Sequence, residues 1–228
     1  MRRGGASGAV VVSLLLVVPA QAGVITFSDT FGPTAVPFPA AVGATLSLFD
    51  PSNGTLTKVT LTLDADASGG SIAWDNEAPV STDVTLGIGA EVTATGLAAL
   101  TVVAVPLQTD SAVGVDADND GAADFIGTDA FSVTGGVGSD SDSAMLVGDD
   151  VLPYIGVGTF DVTIGADVET FLSTTGGFGP IDPVPGNTEG TVTVTYEFTN
   201  AVPEPSAVTL FVLGAVGLGA YCLRRRKR

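Results

Sequence analysis

The sequence contains no histidine, and its single cysteine, Cys222, lies close to the C-terminal end. Those two absences exclude a Ser-His-Asp or Cys-His nucleophile, the usual zinc ligand sets and any disulfide within the chain. Positive charge is almost as scarce. Lys and Arg together number 8, at Arg2, Arg3, Lys58, Arg224, Arg225, Arg226, Lys227 and Arg228, so that only Lys58 stands between the two ends. Residues 23–202 carry 24 acids against that one base, a net charge of −23. Such a body repels nucleic acid and anionic lipid, because phosphate binding needs Lys and Arg. The expected partners are instead divalent cations, chiefly calcium and magnesium, and neutral polymers; the acidity also suits a saline or calcium-rich setting, where ions screen it. Large aromatic residues are few as well: between the ends stand Trp74, Tyr154, Tyr196 and ten phenylalanines. Trp74 next to Asp75 and Glu77 is placed to stack on a sugar ring, but a lone tryptophan in a β-rich chain is expected in the core.

Both ends read as targeting segments. Arg2 and Arg3 precede an apolar stretch, Ala9 to Val18, and then Ala20-Gln21-Ala22, a small-x-small cleavage site. That is the form of a secretory signal peptide, residues 1–22, cut after Ala22. At the other end Val202-Pro203-Glu204-Pro205 is followed by an apolar run, residues 207–223, and then by Arg224, Arg225, Arg226, Lys227 and Arg228. As a helix that run would be roughly 25 Å long, enough for one transmembrane helix through a thin bilayer. The cations behind it form a membrane stop that stays on the cytoplasmic side. Handle, span and stop in this order resemble the PEP-CTERM sorting signal of Gram-negative bacteria. The resemblance implies an exosortase-type membrane processing enzyme as partner, cutting near Pro203-Glu204-Pro205. It further implies transient anchoring in the inner membrane, then a place on the cell surface or in an extracellular matrix, often alongside exopolysaccharide.

Between the ends, residues 23–201 are expected to form one domain, since about 180 residues suffice for a core and no linker divides them. Alternation at period two dominates. In Thr55 to Asp64, Val59, Leu61 and Leu63 point one way while Lys58, Thr60 and Thr62 point the other; Thr191 to Thr199 places Val192, Val194, Tyr196 and Phe198 on one face. Further strands are expected at 24–28, 71–75, 83–89, 100–105, 131–134 and 159–164. Turns are expected at 50–54, 69–70 and 176–177, and a loop at Pro183, Pro185 and Gly186. Ala94 to Ala104 is the one helix-like stretch, tipped toward strand by Thr101, Val102 and Val103. The fold class is therefore all-β, an antiparallel β-sandwich of which the jelly-roll is one form. Lys58, on the polar face of its strand, is expected to pair with an acid.

Three blocks, Leu48 to Val59, Tyr154 to Thr159 and Val192 to Tyr196, together resemble the choice-of-anchor E domains of surface proteins with varied anchoring tails. That resemblance implies a displayed β domain and no activity.

One loop carries candidate chemistry. Asp116-Ala117-Asp118-Asn119-Asp120-Gly121, continued by Asp124, alternates carboxylates around a tight turn, as a calcium loop does. Asp116, Asp118 and Asp120 would ligate by side chain, Ala122 by its carbonyl, and Asp124 directly or through water. Position twelve is Gly127, where an EF-hand has a bidentate Glu, so binding would be millimolar rather than nanomolar. The other reading is a solvated acidic turn. Asp140, Asp142, Asp149 and Asp150 form a second acidic stretch, expected as solvated loop.

The chain thus reads as a non-catalytic, exported surface or matrix protein, associated with exopolysaccharide or biofilm through divalent-cation bridges. Two other classes stay open: a carbohydrate-binding module, which an exposed Trp74 would favour, and a glycan-active enzyme, which needs two facing carboxylates in a cleft.

Overall fold

The computed structural model describes residues 22–118, 121, 123–200, 214–216 and 224–225, with only the backbone of Val42. Residues Ala22–Thr199 form one compact unit. The strands are β1 (Ala22–Ala35), β2 (Phe38–Ser47), β3 (Thr55–Ser68), β4 (Ser71–Asp75), β5 (Thr82–Thr95), β6 (Thr101–Ala104), β7 (Leu107–Val115), β8 (Ala130–Thr134), β9 (Val137–Val147), β10 (Thr159–Thr174), β11 (Ile181–Val184) and β12 (Asn187–Thr199).

Two sheets face each other, ordered β1-β12-β3-β9 and β2-β10-β5-β6, with β7 also paired to β5; every ladder in them is antiparallel. If β6 and β7 are taken as one bent strand and β4, β8 and β11 are set aside, eight strands remain. Numbered along the chain they run 1-8-3-6 and 2-7-4-5, the jelly-roll order. Alternation explains why these segments became strands. Val59, Leu61 and Leu63 of β3, and Val192, Val194 and Tyr196 of β12, are fully buried against Ala90, Val92 and Ala94 of β5 and Val162 and Ile164 of β10. Each such side chain taken out of water contributes about 1.5–3 kcal/mol. The opposite face of β3 holds Lys58, whose Nζ lies 2.8 Å from Glu197 Oε1 of β12, the ion pair expected.

The remaining strands differ from the single sandwich anticipated. β11, β4 and β8 form a third, three-stranded sheet. It covers a second core of Ile72, Trp74, Val84, Leu86, Ile88, Val115 and Val133. Trp74 packs there, fully buried, rather than in the main sandwich. Asp140 and Asp142 lie in β9, not in a loop, while Asp149 and Asp150 sit in a 3₁₀ turn, Gly148–Tyr154. Pro183, expected in a loop, lies in β11. The helix-like stretch 94–104 is the end of β5, one 3₁₀ turn at Leu97–Ala99, and β6.

The unit has two poles. Ala22 pairs with Thr199 and Phe198 with Leu56, so both ends of the unit lie at one pole. There Phe49 and Tyr154 pack on Tyr196, with ring centroids 5.7 and 6.4 Å apart. The three blocks 48–59, 154–159 and 192–196 meet at this cluster: Phe49 N–H donates to Tyr154 O and Gly156 N–H to Phe49 O, both at 2.9 Å. The strands of β3 length carry the chain about 45 Å to the far pole. The third sheet and the loop between β7 and β8 are both there, beyond the pairing of Thr82 with Val115. All ladders and both cores close within Ala22–Thr199, so this unit contains what independent folding requires.

Candidate functional site

At the far pole β4 ends in Trp74-Asp75 and Asn76 follows it, all three buried. The strand carries Asp75 under the Asp-rich loop. Asp75 Oδ2 accepts the N–H groups of Asp124 and Phe125 at 2.9 and 3.0 Å. A buried carboxylate needs such donors, because its desolvation is otherwise costly. Asn76 holds the loop from the other side: its Nδ2 donates to Asp116 O at 2.7 Å and Val80 O at 2.9 Å, and its Oδ1 accepts Ala78 N–H at 3.2 Å. Asp118 N–H donates to Ala78 O, and Asp116 N–H to Thr128 O. Asp129, also buried, closes the loop through its carbonyl, which accepts Asn76 N–H at 2.9 Å.

The expected ligands therefore sort as follows. Asp116, Asp118 and Asp124 lie along one loop fastened to β4; Asp120 and Ala122 lie outside the described residues. Asp118 Oδ1 accepts Gly121 N–H at 2.7 Å and Asp124 Oδ1 accepts Ile126 N–H at 3.0 Å, so both carboxylates shape the turn itself. Among the described residues no three acids converge as a metal cage. Sequence reasoning missed Asp75 and Asn76, which anchor the loop. Asp75 and Asn76 stand 40 or more residues from the segment they hold, and no local pattern marks them.

Carboxylates also join the two large sheets. Asp29 of β1 reaches across the seam, where Oδ2 accepts Thr45 N–H of β2 at 2.8 Å and Oδ1 accepts Thr30 N–H at 2.9 Å. Those two bonds, Thr45 first, hold its carboxyl below the ordinary carboxylate value. At the other seam Asp140 Oδ2 of β9 accepts Val105 N–H, between β6 and β7, at 2.7 Å.

Of the sorting residues, Val202, Pro203, Glu204 and Pro205 lie outside the described residues, as do Ala20, most of the run 207–223, and Arg226, Lys227 and Arg228. Ala22, of the expected cleavage site, begins β1. Among the described residues no helix is long and apolar enough to cross a membrane.

A PEP-CTERM protein-sorting motif matches residues 201–227. No curated protein matches the sequence. Among solved structures the chain is similar to one of infectious bursal disease virus Gt strain, at 11% identity and TM-score 0.20, over 86% of this chain and 49% of that one. It thus spans about half of that viral chain. It is also similar to a chain of Mud crab tombus-like virus, at 8% identity and TM-score 0.22, over 92% of this chain and 97% of that one. At such scores the fold is read from its own strand order. The sorting motif supports an exported, surface-directed protein processed by an exosortase-type enzyme.

Proposed function

We propose that this chain is a non-catalytic display protein: an acidic jelly-roll exported to the cell surface or extracellular matrix and associated there with exopolysaccharide. The observation that carries the reading is the sorting motif at 201–227, directly after the last strand of a compact β unit. The resemblance of three blocks to the choice-of-anchor E domains supports it, and those blocks share one aromatic cluster. In this reading residues 1–22 direct export and the run 207–223 anchors the chain in the inner membrane for a time. Processing near Pro203-Glu204-Pro205 then frees the unit.

Attachment to the matrix is by divalent cations shared between its carboxylates and an anionic polysaccharide, which suits a net charge of −23 over residues 23–202. A weak calcium site in the loop Asp116–Asp124 belongs to the same reading, supported by the spacing of its acids and by its fastening to buried Asp75. The carbohydrate-module alternative loses its aromatic platform, since Trp74 is fully buried.

The test is a calcium titration of residues 23–202 at fixed ionic strength, reading thermal stability and co-sedimentation with an anionic polysaccharide. A saturable rise in both that magnesium and sodium do not reproduce, abolished by Asp118→Ala, is expected. If calcium leaves stability and polysaccharide association unchanged, cation bridging is wrong.

A further inference from the structure

β10 is flanked on both sides only in part. β2 covers Thr159 to Ala166, and β5 covers Thr163 to Thr174. Among the described residues no strand pairs with the outer edge of residues 167–174. Eight residues make an edge about 27 Å long, with half of its N–H and C=O groups turned away from β5. Edges of that length are ordinarily covered or blunted, because they template pairing with another chain.

The side chains here match an added strand. Val168, Thr170 and Leu172 continue the inward row of Val162, Ile164 and Ala166. Val168 packs against both cores, while Leu172, opposite buried Leu86, is still 40% exposed. Asp167, Glu169 and Phe171 alternate on the outer face, and Phe171, opposite Gly87, is 43% exposed. Asp167 lies directly opposite Glu91 of β5, a like-charge pair that costs stability unless a cation stands beside it. Lys58, the one cation of residues 23–202, is committed to Glu197 on the other sheet. Where β2 leaves off, Phe38, Pro39, Glu91 and Asp167 line an open cleft of about 410 Å³.

We propose that residues 167–174 of β10 accept an additional strand from an extended, cationic segment of a partner protein. That segment sets apolar side chains beside Val168 and Leu172, and Lys or Arg beside Asp167 and Glu169. Main-chain bonds to the edge supply affinity, and the alternating side chains supply register. A second copy of this chain is the wrong occupant: it brings a further −23 over residues 23–202 and no free cation from that region. The carboxylates that bar self-pairing are the ones that select the partner.

The test uses residues 23–202 and an acetylated ten-residue peptide with valine on one face and threonine and two lysines on the other. A control peptide carries glutamates for the lysines. Expected are saturable binding of the lysine peptide that weakens with salt, slowed amide exchange confined to residues 167–174 and their β5 neighbours, and no binding of the control. Asp167→Lys with Glu169→Lys should weaken the lysine peptide by ~10-fold or more and admit the control. Both residues are solvent-facing, and the milder pair Asp167→Asn with Glu169→Gln gives the same loss if the reversal disturbs folding. Equal binding of both peptides would overturn the proposal, as would protection elsewhere. So would concentration-dependent self-protection of the edge, or its protection by an anionic polysaccharide in place of the peptide.

Discussion

Tyr154 and Tyr196 show how single residues tie the near pole together. Both rings are fully buried, and both hydroxyls donate to carbonyls, Tyr154 to Leu97 O at 3.0 Å and Tyr196 to Ser47 O at 2.8 Å. Burial pushes the Tyr154 phenol up to about 12, and burial together with the neighbouring Tyr154 raises Tyr196 as well. Unfolded tyrosines ionise near pH 10. Above that pH the folded state holds more protons than the unfolded one, so stability falls as pH rises from about 10 through 12. In residues 23–202 these are the only tyrosines, and phenolate absorbance is expected to appear together with unfolding; ionisation in the folded state near pH 10 would contradict this. Trp74 offers a second check at the far pole. Its Nε1 has no acceptor among the described residues, so Trp74→Phe is expected to give up packing volume but no hydrogen bond, whereas Trp74→Ala should cost about 3–5 kcal/mol in a denaturant melt. The burial of Trp74 was expected from its residue type, but its particular core was not. Nothing in Ser71–Asp75 distinguishes a strand of the main sandwich from one of a separate sheet.

Among the elements, the seams of the sandwich are the places where sequence and fold part company. Strands with an apolar face, such as β3, β5, β10 and β12, are legible because one side meets the core and the other meets water. β2 escapes notice because Pro39, Ala40, Ala41 and Gly43 carry little β-propensity. β9 escapes because Asp140 and Asp142 stand on its inward row, in line with buried Gly138, where alternation calls for apolar residues. They fit there because β9 is an edge strand, and Asp140 spends its charge on Val105 N–H across the seam. β11 is short and contains Pro183, which only an edge position tolerates. The Asp29 bond to Thr45 has a pH signature. Because its folded pKa is depressed, its contribution is complete above about pH 4 and is lost as pH falls further. Asp29→Ala should therefore lower stability at neutral pH and flatten the acid limb of the pH–stability curve. An unchanged acid limb would mean that the seam is held by packing alone. Gly179 is a tighter constraint, since a Cβ there would collide with the Asp75 carbonyl oxygen. Gly179→Ala should cost about 1–3 kcal/mol or more and loosen the far-pole loop first, read as faster exchange at Asp124 and Phe125 N–H.

For the molecule as a whole, charge and destination are the most legible features and the far-pole lobe the least. The acidity is a matter of counting, and the sorting tail is contiguous. The lobe draws on three separate segments, around 71–80, 116–134 and 175–186, and only folding brings them to one pole. The spacing of Asp116, Asp118 and Asp124 could be read directly, but the buried pair beneath them could not. Self-repulsion at a net charge of −23 over residues 23–202 predicts that thermal stability rises with sodium chloride until the Debye length shrinks below the spacing of surface charges. Stability insensitive to salt would mean that the carboxylates are too dispersed to repel. Ala22 and Thr199, the ends of the β unit, stand at one pole, while the Asp-rich loop and residues 167–174 of β10 lie toward the other.

On the proposed route the tail delivers this β unit to the surface and is then removed. Its most direct test is the intact mass of the protein recovered from the surface and matrix fraction of a producing cell that has an exosortase-type enzyme. The expected product is a chain beginning at Gly23 and ending near Pro203-Glu204-Pro205, without residues 207–228. When those three residues are changed to alanine, the uncut chain is expected to stay in the membrane fraction. A surface protein that still carries residues 207–228, or an alanine variant that reaches the surface equally well, would contradict it.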